Sequence, residues 1–217
     1  MLQKNISFDI VAKWLTAWSL SRKLPSPVPY ESGLMVDVGY EDQKKRYVFT
    51  ALSDDLIQLS KSIDQPGIFI KVCTSPDELK KSISEKWIVQ PQGYMMSCWH
   101  KMGIPKRTLQ NTYKVEFEQY NATYLVRIVT KEGVLAATGR VVLVDDLAVY
   151  DRISTEPTHK RMGLGTLVMK ELEKIALANS VYHNFLVATE EGKLFYESLG
   201  WELYSLYTSV VIQDKDK

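Results

Sequence analysis

The chain has 217 residues, 45% of them hydrophobic and 24% charged, with 27 lysines and arginines against 26 acids for a net charge of +1. That length can bury a sizeable core, and the charge balance argues against bulk binding to nucleic acid or to an anionic membrane, either of which needs a basic excess or a basic face. The two cysteines, Cys73 and Cys98, stand in no Cys-x-x-Cys or Cys/His array, so they read as reduced core thiols, with neither a disulfide framework nor a metal site expected.

In chain order, "MLQKNISFDIVAKWL" lacks the uninterrupted apolar run of a signal peptide, and no segment approaches ~18 consecutive apolar residues, so a cytoplasmic protein is expected. Ser7 is a good N-cap for a first helix, because Ile10, Val11, Trp14, Leu15 and Trp18 share one helical face. Pro25, Pro27 and Pro29 end it. Short segments of alternating type follow: "GLMVDVG" and "RYVFTAL" as strands, "DDLIQLSKSI" as a helix and "GIFIKVC" as a strand. "SPDELKKSISEKW" reads as a helix capped by Ser75 with Pro76 in its first turn, and "YMMSCW" as a further strand.

Residues 101–111, "KMGIPKRTLQN", have no apolar periodicity and divide the chain into an N-terminal α/β half (1–100) and a second domain (112–217). The second opens with an antiparallel meander of three or four strands, turning at Asn121, Glu132-Gly133 and Asp145-Asp146 and beginning with a direct hairpin. A helix from about Gly163 to Asn179 presents Leu164, Leu167, Val168, Leu172, Ile175 and Ala176 on its apolar face, with Lys170, Glu173 and Lys174 mostly opposite. "NFLVAT" is a buried strand, a short helix starts at Thr189 and stops at Gly200, and "WELYSLYTSVVI" supplies one or two closing strands that could pair across a dimer. The triplet "VCT" before Trp87 echoes "VAT" before Trp201, which is either a diverged repeat of strand, helix and strand or a chance recurrence of such units.

The most informative stretch is "EPTHKRMGLG", Glu156 to Gly165. Glycines at 163 and 165 let an anion approach the free N–H groups of a helix start, and Lys160 and Arg161 add positive charge, so the turn reads as a cradle for phosphate or pyrophosphate. A nucleotide triphosphate loop would need a lysine after the second glycine. A dinucleotide fingerprint would need a third glycine where Val168 stands, and parallel winding before it.

On these residues the sequence resembles the GNAT acyltransferase superfamily, whose signature is Arg/Gln-x-x-Gly-x-Gly/Ala at a strand-to-helix turn. "PTHKRMGLG" carries it with Lys160 at the Arg/Gln position, and "LFYESLGW" is similar to the family's later helix, with Trp201 in place of a phenylalanine. The resemblance covers roughly residues 112 to 212. It implies an α+β fold, a mixed and largely antiparallel β-sheet flanked by helices; residues 1–100 are expected to supply the acceptor wall and, if the internal echo is a true repeat, to be a degenerate unit of the same kind. It also implies transfer of an acyl group, most simply acetyl, from acetyl-CoA to an amine, without metal.

By the same resemblance, the coenzyme pyrophosphate would lie on Lys160, Arg161, Met162, Gly163, Leu164, Gly165 and Thr166. The pantetheine arm would lie along Ile153, Ser154 and Thr155, where a backbone N–H could polarise the thioester carbonyl. Tyr196 stands where the family often has its general acid. Asp151, unusual in an apolar strand, could be a base, an acceptor anchor or a structural ion pair, and deprotonation through water is an equal alternative. Trp14, Trp18 and Trp99 are expected in the core rather than around an acceptor. The competing reading is a non-catalytic, acyl-CoA-sensing or regulatory binding protein.

Overall fold

The computed structural model describes residues 6–213. Helix α1 (Phe8–Arg22) is capped by the Ser7 side chain, which accepts the Ile10 N–H, and closes through Lys23 in the left-handed region. The first half continues through β1 (Val28–Tyr30), β2 (Gly33–Asp37), β3 (Lys45–Phe49), α2 (Asp54–Ser62), β4 (Ile68–Val72), α3 (Pro76–Ser82), β5 (Trp87–Val89) and β6 (Gly93–Cys98). The second contains β7 (Tyr113–Tyr120), β8 (Thr123–Thr130), β9 (Leu135–Val144), β10 (Leu147–Thr155), α4 (Leu164–Ala178), β11 (His183–Ala188), α5 (Glu190–Glu197) and β12 (Glu202–Ile212). Among the described residues no helix is long and apolar enough to cross a membrane.

Two of these elements depart from the sequence expectation. The proline stretch that ends α1 also forms β1, an edge strand paired only with β2, where Pro29 needs no ladder donor. The helix expected to run to Trp87 stops at Ser82. Its start is as read, a capping box of Ser75 and Glu78, but Ile83 turns to extended backbone. Trp87 is drawn into the core instead, donating its indole N–H to the Ser60 carbonyl, and opens β5 against β12.

All strands join in one sheet of order β1-β2-β3-β4-β12-β6-β11-β10-β9-β8-β7, with β5 beside β12. The two halves repeat one plan. β3 runs parallel to β4 across α2, and β10 runs parallel to β11 across α4. Each pair is followed by a shorter helix, α3 or α5, and then by a final strand. Those final strands are exchanged: β6 of the first half pairs with β11 of the second, β12 of the second pairs with β4 of the first, and β6 and β12 pair with each other. The closing strand is therefore spent joining the halves rather than left as an edge.

The β7–β8 connection is the direct hairpin the sequence suggests, with Asn121 at positive φ accepting the Thr123 N–H. The N-terminal α1 covers this sheet on the face opposite α4. It packs Val11, Trp14 and Trp18 with Val142, Val149 and Phe185, whereas α4 packs Val168 and Leu172 with Ile128, Val141 and Tyr150. Close approach of α4 depends on Gly139, where a Cβ would stand 2.5 Å from Ile153 Cδ1 and 2.6 Å from Val168 Cγ1.

Residues 101–111 contain no strand or helix, yet they are pinned onto α4. Met102 donates its N–H to Glu173 Oε1 at 2.6 Å, and Gly103 donates to the Leu199 carbonyl. Glu173, expected on the polar face of α4, is only 5% exposed because this segment covers it. Burial raises its carboxyl pKa despite the Met102 hydrogen bond. Glu173→Ala is expected to cost about 1–3 kcal/mol by orphaning the Met102 N–H. Glu173→Gln keeps an acceptor without burying a charge. Because the folded carboxyl pKa is raised, the wild type should lose stability relative to this variant as pH rises through that value. Melting temperatures across about pH 4 to 7 would show the two curves diverging, and parallel curves would refute the burial argument.

Candidate active site

Four of the five α-helices of the described residues are closed at their N-termini by a side chain: Ser7 for α1, Ser53 for α2, Ser75 for α3 and Thr189 for α5. Each also carries acid in its first turn. Helix α4 has neither; its N-cap is Gly163, with no side-chain cap and no acidic residue in the first turn. Its first ladder bond is donated by Leu167 to the Gly163 carbonyl, so the N–H groups of Leu164, Gly165 and Thr166 point out of the helix end. A positive, uncapped helix end of this kind suits an anion.

The two glycines are there for different reasons. Gly163 has φ of +77°, which L side chains rarely adopt, and a Cβ would meet Arg107 Nη1 at 2.5 Å. Gly165 has no such constraint: a Cβ would make ordinary contacts at 3.6 Å with Thr155 Oγ1 and Phe195 Cζ. Nothing in the protein's own packing requires glycine at 165, and its small size keeps the helix end open. Around it, Met162 and His159 meet the Tyr113 hydroxyl, and Lys160 reaches Glu191 at 3.5 Å in an exposed pair worth little.

Next to this helix end the sheet opens. Strands β10 and β11 pair in parallel only from Leu147↔His183 to Tyr150↔Leu186. Beyond Tyr150 a bulge between Asp151 and Ser154, with Arg152 at φ of +51°, turns β10 away while it stays paired to β9. The result is a notch whose β10 wall, Ile153 to Thr155, has a ladder on one side only. Such an edge can pair with an extended ligand. The structure thus brings the 153–155 strand end to the 160–166 turn.

Tyr196, on α5, lies on the same face as α4. It is 8% exposed, with its ring against Phe195 and Trp201. Burial, and then the negative charge of Asp151, raise the phenol pKa above its ordinary value. The phenol is therefore protonated at neutral pH.

Asp151 sits at the bulge but points to the opposite face. Arg22 grips it with two bonds, Nη1 to Oδ2 at 2.6 Å and Nη2 to Oδ1 at 3.1 Å, and the Ser21 hydroxyl donates to Oδ2 at 2.5 Å. Both carboxylate oxygens are thus engaged by donors from α1, an arrangement that ties β10 to that helix.

On the α1 face a cavity of about 220 Å³ lies between the halves. Its walls come from α1 (Trp14, Trp18 and Arg22), from β3 and β4 (Arg46 and Lys71), and from Tyr150, Asp151 and Tyr207. Trp14 and Trp18 are buried as expected but also form this wall. Trp99 is not core: it is 43% exposed, edge-on to His183 and Tyr204. Sequence reading missed Arg46, Lys71 and Tyr207; the available signal was a charge inside the apolar strands "RYVF" and "GIFIKV".

Among the described residues no three His, Cys, Asp or Glu side chains are grouped for a metal. Cys73 and Cys98 are free and buried, and burial pushes the Cys73 thiol up to about 12.

Residues 93–201 match the Acetyltransferase (GNAT) family. The match begins at β6, the strand that the first half lends to the strands of the second. No curated protein sequence matches the chain. Among solved structures, the fold is similar to a GCN5-related N-acetyltransferase from Kribbella flavida, with a TM-score of 0.67 and 12% identity over 98% of this chain and 97% of that one. A tandem GNAT protein from the clavulanic acid biosynthesis pathway aligns over 99% and 98% of the two chains at a TM-score of 0.59 and 12% identity. A GCN5-related N-acetyltransferase-like protein from Streptococcus suis aligns over 95% and 98% at 0.56 and 11%. At these identities the likeness is one of fold. The doubled strand-helix-strand plan, the glycine turn at an uncapped helix and the matched span together show that this chain belongs to the GNAT acetyltransferase family.

Proposed function

We propose that the protein is an acyl-coenzyme A dependent N-acyltransferase that uses acetyl-CoA as donor and an amine as acceptor. The observation that carries this reading is α4, the one α-helix among the described residues without a side-chain cap, opening onto the notch between β10 and β11. The backbone around Gly163 to Thr166, with Lys160, Arg161 and Met162 on the rim, would receive the pyrophosphate. The free edge of Ile153 to Thr155 would pair with the pantetheine arm and offer an N–H to the thioester oxygen as negative charge develops there. Tyr196, protonated and facing the same side, would give its proton to the departing thiolate.

On this reading residues 1–100 are a degenerate half that completes the acceptor side, and residues 112–217 bind the coenzyme. The first half's equivalent of the α4 end is closed by Ser53 and carries Asp54 and Asp55, which would repel a phosphate. One coenzyme per chain is therefore expected. Asp151 serves as a positioning residue that ties β10 to α1 at the bulge, and deprotonation of the amine proceeds through water.

The direct test follows thiol release from acetyl-CoA with a broad amine panel. Amine-dependent release supports the assignment; tight acetyl-CoA binding with no transfer to any amine would favour a sensing role instead. Tyr196→Phe is expected to lower kcat about 10²-fold with acetyl-CoA affinity nearly unchanged. Full turnover in that variant would remove the general acid.

A further inference from the structure

The cavity between the halves is charged in an uneven way. Its wall contains one carboxylate, Asp151, already held by Arg22 and Ser21 on the side next to the notch. From β3 and β4 come two more cations. The Arg46 guanidinium is 8% exposed and stacked 3.6 Å above the Trp18 ring; one amino group reaches Gln43, and its Nε has no partner among the described residues. Lys71 has one hydrogen bond, to Ser209 Oγ at 2.7 Å. The Tyr207 hydroxyl beside them, in a residue 4% exposed, is likewise without a partner.

A buried cation and a buried hydroxyl left unpaired are costly to a folded protein. Burial lowers Arg46 to about 10 and holds Lys71 well below the ordinary lysine range, with Arg46 adding to the effect on Lys71. The cluster persists at the wall of a cavity that Tyr150 and Asp151 also line. An anion in the cavity would offer these groups an acceptor they otherwise lack in whole or in part. About 220 Å³ admits a small molecule or the end of a side chain.

We propose that the acceptor is a small amine that also carries an anionic group, a carboxylate in the first instance, held by Arg46, Lys71 and the Tyr207 hydroxyl so that its amine reaches the notch. The proposal rests on the acyltransferase reading. In the reaction, one ammonium proton goes to solvent, the amine nitrogen forms the new bond to the thioester carbonyl carbon, and the C–S bond breaks. The leaving sulfur takes a proton from Tyr196, which recovers one that originated on the amine through water.

The test has two arms. In the first, initial rates with acetyl-CoA are compared for matched acceptors: amino acids from glycine to 6-aminohexanoate, their amides, and 3-aminopropyl phosphate. Carboxylated amines are expected to exceed their amides in kcat/KM by about tenfold or more. The preference should collapse in Arg46→Met and in Tyr207→Phe. The second variant removes only an unpaired hydroxyl, so it should fold and melt at or above the wild-type temperature. A stronger preference for the phosphate would keep the anion site and change its ligand. Equal rates for acids and amides, or a preference untouched by both variants, would overturn the proposal.

The second arm needs no turnover. Short carboxylates and their amides are titrated against tryptophan fluorescence, since Trp14 and Trp18 line the cavity. Saturable quenching by the carboxylates that is lost in Arg46→Met supports the anion site even if no amine is acetylated. Absence of any carboxylate-specific quenching in a protein that binds acetyl-CoA would sink the proposal while leaving the coenzyme site standing.

Discussion

Gly165→Asp is expected to abolish acetyl-CoA binding while the protein folds as well as before or better. The two effects have opposite sign because they act on the same feature. A carboxylate in the first turn of an uncapped helix interacts favourably with its dipole, worth about 0.3–1 kcal/mol. Space is available, since a Cβ at 165 would stand 3.6 Å from Thr155 Oγ1 and from Phe195 Cζ. That same carboxylate would sit where the pyrophosphate must come, and would withdraw the free N–H groups from it. Calorimetry should show micromolar binding, on the order of −8 kcal/mol, vanish in the variant, while the melting temperature stays level or rises. Unchanged affinity would remove the coenzyme from this turn.

Gly163 cannot make this distinction. Its φ is +77°, and a Cβ there would stand 2.5 Å from the Arg107 side chain, so any substitution strains the fold as well as the site. The choice between the two glycines, which look equivalent in the sequence, is available only from their backbone geometry.

What the sequence made legible was local. The cap at Ser7, the meander and the glycine turn each depend on residues within a few positions of one another, and each stands in the structure where its pattern lies. The short helix carrying Tyr196 is legible for the same reason. The strand exchange between β6 and β12 depends instead on pairing between distant segments, and no short pattern encodes it. The cavity is hidden for the same reason, since its three unpaired or half-paired groups come from β3, β4 and β12. Lys71 reads in "IFIKV" as the outward residue of an alternating strand, yet the facing strand carries Ser209, and the two side chains meet at the junction of the halves. Glu173 shows the same limit on a helix: its polar neighbours Lys170 and Lys174 place it on the solvent face until residues 101–111 fold over it.

Asp151→Asn should cost the protein stability and slow it without changing how its rate depends on pH. The carboxylate is the sole counter-charge to Arg22 within bonding distance among the described residues, and both side chains are 15% exposed. Burial already lowers the Arg22 pKa, with Arg152 and Arg140 adding repulsion. Replacing one partner of so enclosed a pair leaves the other poorly solvated, a loss of about 3 kcal/mol measurable by urea unfolding. Because the pair fixes β10 to α1 where the bulge opens the notch, slack there should lower kcat by misplacing the edge at Ile153 to Thr155. If Asp151 acted as the base, the acidic limb of the rate profile would disappear in the asparagine variant; a limb that persists at the same pH identifies it as a positioning residue. The double variant Arg22→Met with Asp151→Asn separates the roles further. Removing the stranded cation should recover much of the lost stability, while activity should stay low because the tie between α1 and the bulge is gone.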